Sequence, residues 1–434
     1  MFKTFLKKTV IVILNWEARL VIKKYKPKLV GITGSVGKTS TKDAVSAVLA
    51  TVYRVRKSEK SYNSEFGLPL TVIGCQTAWN SVGGWLKIIY HGLVLILTKE
   101  KYPECLVLEI GADKPGDIKS IVKKIKFDIA IVSRLPEVPV HIEFFKSKEQ
   151  MIDEKMSLPL SIAPNCLVIL NADDSNIMSR RDKIKAKVVL YGFSEPAKVR
   201  ATNNHIMYGD RNGLSVPVGL AFKVDCQGNN VPVRVPNVIG IHLVYPILAA
   251  IAVGIELGVN LVKAIEVLAL HTTPPGRLHL VLGMNNSTIL DDTYNSSPIA
   301  VEAALETLKE IETSGRKIAV LGDMMELGGH TAEAHKHIGE LSSQIVDILV
   351  TVGVRSKFTY EKAQSLGFCQ DNLFCFNSAK EAGEYLSTIV SAGDVVLVKG
   401  SQSMRMEKVI EMIMAEPENK AKLLVRQEKE WQAR

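Results

Sequence analysis

The segment Gly31-Ile-Thr-Gly-Ser-Val-Gly-Lys-Thr-Ser40 constrains the fold of this chain more than any other stretch. It lies between a short apolar run, Lys28 to Thr33, and a helical pattern from about Lys38 to Val52. Glycines here allow backbone N–H groups to turn towards phosphate oxygens, and the start of the helix adds positive potential. The segment therefore predicts a phosphate-binding loop, in which Lys38 reaches the outer phosphates and Thr39 binds Mg²⁺.

The loop departs from strict Walker spacing, which would place a glycine at Ile32 rather than at Gly34. An ordinary glycine-rich turn between a strand and a helix is the alternative interpretation. The adjoining Gly-Lys-Thr-Ser favours nucleotide binding, because it supplies a cation and hydroxyl groups for a phosphate chain. We predict that ATP is held by Gly34, Ser35, Gly37, Lys38, Thr39 and Ser40.

Apolar runs recur along the first part of the chain, with helical patterns between several of them. This alternation predicts an α/β fold with a mostly parallel sheet. Residues 198–235 are rich in Asn, Gly, Pro and Val and predict a small antiparallel region, followed by helices at 241–257 and 261–269. The predicted parallel strands are Lys28 to Thr33, Cys105 to Ile110, Asp128 to Ser133, Cys166 to Leu170 and Lys187 to Tyr191.

The clearest linker is Thr272-Thr-Pro-Pro-Gly276, because consecutive prolines followed by glycine end a helix. Beyond it, strands alternate with helices again and predict a C-terminal Rossmann-like domain. We therefore divide the chain into an N-terminal helix (1–27), a central P-loop ATPase domain (28–272) and a C-terminal domain (273–434). The predicted C-terminal strands are Thr288 to Asp292, Lys317 to Leu321, Ile348 to Val352 and Val395 to Lys399.

Composition and charge exclude several classes of protein. The 434 residues are 47% hydrophobic and 23% charged, which is typical of globular proteins with more than one domain. Six scattered cysteines show no metal-binding or redox spacing and predict buried thiols in a reducing cytoplasm. The net charge is +9, of which Met1 to Lys28 contributes +7. The folded domains are nearly balanced, so we predict no nucleic-acid partner.

Residues 1–26 interleave basic and apolar side chains and predict a basic amphipathic helix. The apolar run Val10 to Leu14 is too short to span a bilayer, and no small-residue cleavage site follows it. Two alternatives stay open: a peripheral contact with an anionic membrane, or packing on the protein with the lysines in water. A second apolar stretch, Trp79 to Thr98, contains Lys87 and His91 and predicts a buried or interfacial helix.

The loop and the segments after it resemble the Mur ligases. The loop is similar to the family's T-G-x-x-G-K-T-S/T signature, and Tyr62 to Leu70 is similar to its N-x-E-x-G-x-P segment. The strand end Leu108 to Ala112 resembles E-M/I-G-A. Later matches, the last of which indicate the D-alanyl-D-alanine-adding branch, are Asn171 to Asp174, Pro275 to Arg277, Asp291 to Asn295, Leu321 to Gly328 and Lys399 to Ser401.

The resemblance implies a peptide ligase of peptidoglycan precursor synthesis, which adds D-alanyl-D-alanine to a UDP-N-acetylmuramoyl tripeptide. ATP would convert a substrate carboxylate into an acyl phosphate, and an amine would then displace phosphate. Two anions must meet in this reaction, and Mg²⁺ and Lys38 would offset their charge. Glu109, at a predicted strand end, would bind Mg²⁺ with Thr39. The alternative for Glu109 is a solvent-exposed strand end.

The resemblance also implies catalytic roles for His141 and Lys155. The family's A-H-L-E segment is followed, fourteen positions after its histidine, by a lysine that becomes a carbamate, and Lys155 follows His141 at that offset. A carbamylated Lys155 would help hold a second Mg²⁺, with His141 as a further ligand. The alternative is a lysine on a solvated helix face. The segment 133–139 differs from the T-N-I-G run that is usual in the family.

The end of the site that would bind the base resembles the family less. Both asparagines of the family's G-x-H-N-x-x-N segment are missing from Gly240 to Pro246. Adenine would contact Tyr245 or His242, unless this segment is only a helix start with Pro246 in its first turn. Arg277 and Asp292 resemble the residues that clamp phosphate and ribose. The candidates for substrate binding are Asn63, Asp323, Glu326, His335, Lys399 and Ser401.

One departure and two alternative functions remain. The family's ligases begin with a separate domain for the uridine-nucleotide sugar, whereas here the phosphate loop begins at Gly31. Either residues 76–103 and the basic helix hold that sugar, or the acceptor is different, for example lipid-linked. A ligase that adds glutamate to a poly-amino acid or a folate tail is one alternative function. A non-catalytic scaffold is the other, and it would need neither Lys38 nor Lys155.

Overall fold

The computed structural model describes residues 2–59, 67–78, 81–135, 144–270, 274–428 and 431, with side chains from residue 9 onward. Several sequence predictions fall outside these residues, among them the substrate-binding Asn63 with most of its segment, the metal ligand His141 and the start of the linker at Thr272. The order of secondary-structure elements in the described part is that of two consecutive α/β units, each with its own sheet.

The described residues form a first sheet of nine strands in two parts. Its strands are β1 (Lys28–Thr33), β2 (Val55–Lys57), β3 (Cys105–Glu109), β4 (Ile129–Val132), β5 (Leu167–Asn171), β6 (Lys187–Gly192), β7 (Val199–Arg211), β8 (Leu214–Cys226) and β9 (Asn229–Pro236). Their order is β2-β3-β1-β4-β5-β6-β7-β8-β9. Pairing is parallel from β2 to β7 and antiparallel from β7 to β9. The predicted parallel sheet with an antiparallel extension is confirmed.

Helices cover both faces of this sheet, because successive residues of its strands face opposite sides. Val30 and Ile32 of β1 join one buried cluster, and Leu29 joins the other. The first cluster includes side chains of α2 (Lys38–Leu49), α8 (Val244–Glu256) and α9 (Leu261–Ala269). The second includes those of α1 (Phe2–Tyr25), α3 (Gly67–Ile73), α4 (Val82–Leu97), α5 (Asp117–Lys124), α6 (Lys148–Leu160) and α7 (Ser175–Met178).

The second sheet has six strands among the described residues, in the order β10-β11-β15-β12-β13-β14. Only β10 is antiparallel to its neighbour. The strands are β10 (His279–Leu282), β11 (Thr288–Asp292), β12 (Lys317–Gly322), β13 (Ile348–Val352), β14 (Leu373–Phe376) and β15 (Val395–Lys399). The helices are α10 (Pro298–Glu310), α11 (Thr331–Ser343), α12 (Lys357–Ser365), α13 (Ala379–Ile389), α14 (Glu407–Ile413) and α15 (Lys420–Leu423). The predicted Rossmann-like second unit is confirmed, and the domain boundary at residue 272 stays a prediction.

The predicted strand bounds differ from the observed ones by at most one residue, and the helices differ more. The helix predicted to reach Val52 ends at Leu49. The helix predicted from Ile241 begins with a 3₁₀ turn, and its α-helical part starts at Val244. The structure describes no helix that is long and apolar enough to cross a membrane. Helix α1 packs on α3 and α4 through its apolar side, as one of the two alternatives predicted.

Candidate active site

The loop between β1 and α2 is shaped to receive an anion. Gly34 has φ +143°, and a Cβ on it would lie 1.9 Å from Ser133 Oγ. Gly37 has φ +83° and precedes α2, whose first N–H groups no side chain caps. Free N–H groups at a helix N-terminus bind phosphate. The hydroxyl of Ser35 is buried and has no hydrogen-bond partner in the described part of the chain. The loop therefore fits a phosphate group.

Two hard oxygen donors meet where the loop enters α2. Thr39 Oγ1 donates to Glu109 Oε2 at 3.0 Å, and Glu109 is buried at the end of β3. The alternative that Glu109 is a solvent-exposed strand end is therefore wrong. Arg277 Nη2, from the second unit, donates to the same Thr39 Oγ1 at 3.2 Å. Hydroxyl and carboxylate oxygens are ligands that suit Mg²⁺ beside a phosphate chain, so Thr39 and Glu109 fit this ion.

Two lysines lie beside the loop, of which Lys155 is buried and Lys38 is partly buried. Lys38 Nζ donates to Ser35 O at 3.4 Å, and Lys155 Nζ donates to Gly34 O at 3.3 Å. Burial lowers the pKa of Lys38. Burial, with a smaller contribution from the nearby charge of Lys38, lowers the pKa of Lys155 to about 7. Lys155 is therefore not on a solvated helix face, and a large fraction of it is an uncharged amine near neutral pH.

The second unit contributes a buried ion pair to the same cleft. Asp292 and Lys399 end the neighbouring parallel strands β11 and β15, in register with each other. Lys399 Nζ donates to Asp292 Oδ2 at 2.5 Å and to Asn295 O at 3.1 Å. The guanidinium of Arg277 lies 4.2 Å from the ring centre of Tyr294. The sequence predicted Asp292 for the nucleotide and Lys399 for the other substrate, and the structure brings the two together.

The far end of the cleft is aromatic. His242 and Tyr245 both line it, and the Tyr245 ring meets the Phe193 ring edge-on at 5.0 Å. The guanidinium of Arg134 lies 5.5 Å from the ring centre of Tyr245. Burial lowers the pKa of His242 to about 4, which keeps its imidazole neutral. Arg134 was missed by sequence reasoning, although it belongs to the segment that departs from the T-N-I-G run.

Four predicted substrate residues lie together away from the cleft lining. Asp323 Oδ1 accepts from the backbone N–H of Ser356 at 2.8 Å, and Ser401 N donates to Asp323 O at 3.0 Å. Glu326 is exposed and has φ +63°. His335 accepts from the backbone N–H of Met324 at 3.0 Å. These residues form a group at the end of β12, and their role in substrate binding stays a prediction.

A buried ion pair near the end of the described chain supports the cleft. Arg426 donates to Glu407 Oε2 at 2.7 Å and to the backbone oxygens of Thr293 and Tyr294 at 2.6 and 3.1 Å. It thereby fixes the loop whose tyrosine ring stacks on Arg277. No local motif predicts this contact, because it joins segments that are distant in sequence.

The cleft therefore combines a phosphate loop, two oxygen donors for a cation and basic residues from a second α/β unit, a combination expected of ligases that use ATP. The Mur ligase middle domain matches residues 88–254, and the Mur ligase glutamate ligase domain matches residues 263–402. The chain belongs to the Mur ligase family, whose members are ATP-dependent ligases.

Several of the proteins that it resembles carry the same name. It is 27% identical over 401 residues to UDP-N-acetylmuramoyl-tripeptide–D-alanyl-D-alanine ligase of Bacillus subtilis (strain 168), covering 92% of this chain and 79% of that protein. Identity to the Escherichia coli (strain K12) enzyme of the same name is 28% over 388 residues, with coverage of 88% and 76%. The solved MurF ligase from Thermotoga maritima, in complex with ADP, has a TM-score of 0.74 and 25% identity, covering 94% of this chain and 84% of that one.

Proposed function

We propose that this protein uses ATP to join the amine of D-alanyl-D-alanine to a carboxyl group of a UDP-N-acetylmuramoyl tripeptide, releasing ADP and phosphate. The observation that carries the proposal is the cleft in which Lys38, Thr39 and Glu109 of one unit meet Arg277 and Lys399 of the other. The proposed substrates are those named for the relatives that the chain resembles.

The first step is transfer of the γ-phosphoryl group. A carboxylate oxygen of the acceptor attacks the γ-phosphorus, the bond from that phosphorus to the bridging oxygen breaks, and ADP leaves. Loop amides and the Ser35 hydroxyl hold the phosphate chain, and an arriving anion favours the charged form of the partly buried Lys38. Thr39 and Glu109 would hold Mg²⁺, which supplies positive charge against the two anions. Arg277 brings a further cation from the second unit.

The second step is formation of the amide bond. The dipeptide amine attacks the acyl carbon, phosphate leaves with the original carboxylate oxygen, and the nitrogen loses a proton. The acyl phosphate would hydrolyse if water reached it, so the reaction needs a closed site. The hydrogen bond from Arg277 to Thr39 supports closure of the two units over it. Asp292 and Lys399 border this space, and we assign Asp292 to the ribose and Lys399 to the substrate side.

We further propose that Lys155 is carbamylated. Its amine is buried, and its lowered pKa of about 7 supplies the uncharged form that attacks carbon dioxide. As the new N–C bond forms, one C=O π bond of carbon dioxide opens and the nitrogen loses its proton, so an uncharged amine becomes an anion. The repulsion between Lys38 and a protonated Lys155 is thereby replaced by attraction. His141 would be a further ligand of the second Mg²⁺ beside the carbamate.

We propose that Asp323, Glu326 and Ser401, together with Asn63, hold the remaining parts of the substrates. We also propose the cytoplasmic location predicted from sequence. The cysteines are free thiols, but Cys369 and Cys375 are exposed, not buried as predicted.

Phosphate release with defined substrates tests the function. We expect ATP-dependent phosphate release only when D-alanyl-D-alanine and a UDP-N-acetylmuramoyl tripeptide are both present, with a product heavier by the dipeptide minus water. Lys38→Ala should remove the signal, whereas Lys101→Ala, an exposed lysine outside the cleft, should keep it. Turnover with glutamate in place of the dipeptide would instead support the alternative of a glutamate-adding ligase.

A further inference from the structure

Helix α4 has apolar side chains on two opposite sides. The side formed by Ile88, Gly92 and Leu95 is buried and faces α1. A Cβ at Gly92 would lie 2.4 Å from Glu17 Oε2 of α1, so this contact needs a glycine. Lys24 Nζ donates to Leu95 O at 2.9 Å and secures the C-terminal end of α4. The two helices are thus fixed side by side. The buried residues of α4 all lie on the side that faces α1.

The other side of α4 is an exposed apolar stripe. Its large side chains recur every three or four residues, so they share one side of the helix over about 22 Å. Leu97 is 80% exposed and Tyr90 is 70% exposed, although apolar residues of this size are usually buried. The apolar stripe consists of Val82, Leu86, Tyr90, Leu93 and Leu97. On α1, the exposed Val12 and Trp16 lie at the same spacing of one helical turn.

Positive charge surrounds this apolar stripe. Residues 9–28 and 81–101, which comprise both helices and their ends, contain eight Lys and Arg residues and two Glu residues. Glu17 is one of those two, and it is buried between the helices. The exposed surface of the pair is therefore strongly basic. The exposed basic residues are Arg19, Lys23, Lys24, Lys26, Lys87, Lys99 and Lys101.

These features decide between the possible occupants of the stripe. A second copy of this chain would meet it through the same surface, which would bring like charges face to face. An anionic lipid surface satisfies both features, since apolar side chains enter the boundary between headgroups and acyl chains while lysines reach the lipid phosphates. Among the described helices none can span a bilayer, so the contact would be a peripheral one.

We propose that the apolar stripe of α4, with the basic residues around it, docks this protein on an anionic lipid bilayer. This assigns the main contact to α4 and a supporting one to α1, because α1 turns Leu14, Ala18 and Val21 into the protein. The proposal is independent of the ligase reaction, and it orients the protein so that α1 and α4 face the membrane.

The test is flotation of the full chain with vesicles of phosphatidylcholine, either pure or containing about 30% phosphatidylglycerol. We expect the protein to float with the anionic vesicles only, and to be released by salt. Leu86→Ser/Leu97→Ser should lower the partition coefficient by at least about tenfold. The control, Leu270→Ser/Val354→Ser, removes two equally exposed apolar residues outside this surface and should float like the unchanged protein.

Three results would overturn the proposal. These are equal flotation of both double variants, equal flotation with neutral and anionic vesicles, or no flotation combined with self-association that the α4 variant abolishes. All variants should keep the same melting temperature, because the exchanged side chains are exposed. The variant Lys99→Glu/Lys101→Glu is a second test, which changes the charge and leaves the apolar stripe intact. It should weaken flotation and make flotation less dependent on salt.

Discussion

The phosphate end and the aromatic end of the cleft are held in different ways. At the phosphate end, Lys38 and Thr39 follow directly from the loop and the first turn of α2, and Glu109 ends the adjacent strand β3. At the aromatic end, Tyr245 is held by contact with Phe193 and Arg134, which come from other parts of the chain. Local backbone geometry therefore positions the charged groups, whereas tertiary packing determines the surroundings of the base.

Loss of the loop lysine should have the largest effect. Lys38→Ala should lower kcat by roughly 10²–10³-fold or more, because a partly buried cation beside the transferred phosphoryl group would be gone. Product formation by mass spectrometry, with Lys101→Ala as control, measures this. Activity within a few-fold of the unchanged protein would show that Lys38 has no catalytic role. The phosphate end would then affect kcat no more than the aromatic end does.

Loss of the strand-end carboxylate should rank next. Glu109→Gln keeps the shape of the side chain but removes its charge, so we expect roughly 10–100-fold weaker activation by Mg²⁺. Titration of activity with Mg²⁺ measures the shift, and Glu104→Gln, an exposed carboxylate beside Arg54, is the matched control. If both variants require the same Mg²⁺ concentration, Glu109 does not bind the ion.

Lys155→Ala should be inactive and partly restored by short carboxylic acids, which replace the carboxylate of a carbamate. A ¹³C-labelled carbamate signal should be seen with the unchanged protein in labelled bicarbonate and be absent in the variant. Its intensity should fall below about pH 7, because the amine is then protonated. Lys146→Ala, on an exposed neighbouring position, should retain both activity and signal. Full activity of Lys155→Ala without added acid contradicts the role.

At the aromatic end the effect should be smaller and confined to affinity. Tyr245→Leu removes a ring at the cleft wall, and we expect the KM for ATP to rise by roughly 5–10-fold with kcat nearly unchanged. Phe374→Leu, an aromatic residue on β14 far from the cleft lining, is the control. A fall in kcat as large as that of Glu109→Gln would show that both ends act on the chemistry.

The smallest effect on activity should come from Glu17, which lies outside both ends. Burial between α1 and α4 raises its pKa to about 7. The folded state therefore binds the proton more tightly, so its contribution to stability is complete below about pH 4.5 and is lost as pH rises to about 7. Glu17→Gln should abolish this loss in melting temperature while ATP turnover stays the same. An unchanged pH dependence of melting would show that Glu17 is not the titrating group.

The same contrast explains what the sequence could predict. The strands and the loop were predictable because apolar runs, glycines and Gly-Lys-Thr-Ser act over a few residues. The pairing of Lys399 with Asp292 was not, since it depends on the register of β15 against β11. Arg134 and Arg426 act through residues distant in sequence, and the exposed side of α4 could not be told from a buried one by its apolar content.

Transfer of oxygen from the acceptor to phosphate tests the central claim most directly. With an acceptor whose reacting carboxyl group carries ¹⁸O, we expect one ¹⁸O atom in each phosphate released during amide formation. Phosphate without ¹⁸O, formed together with the amide product, would contradict the acyl phosphate route.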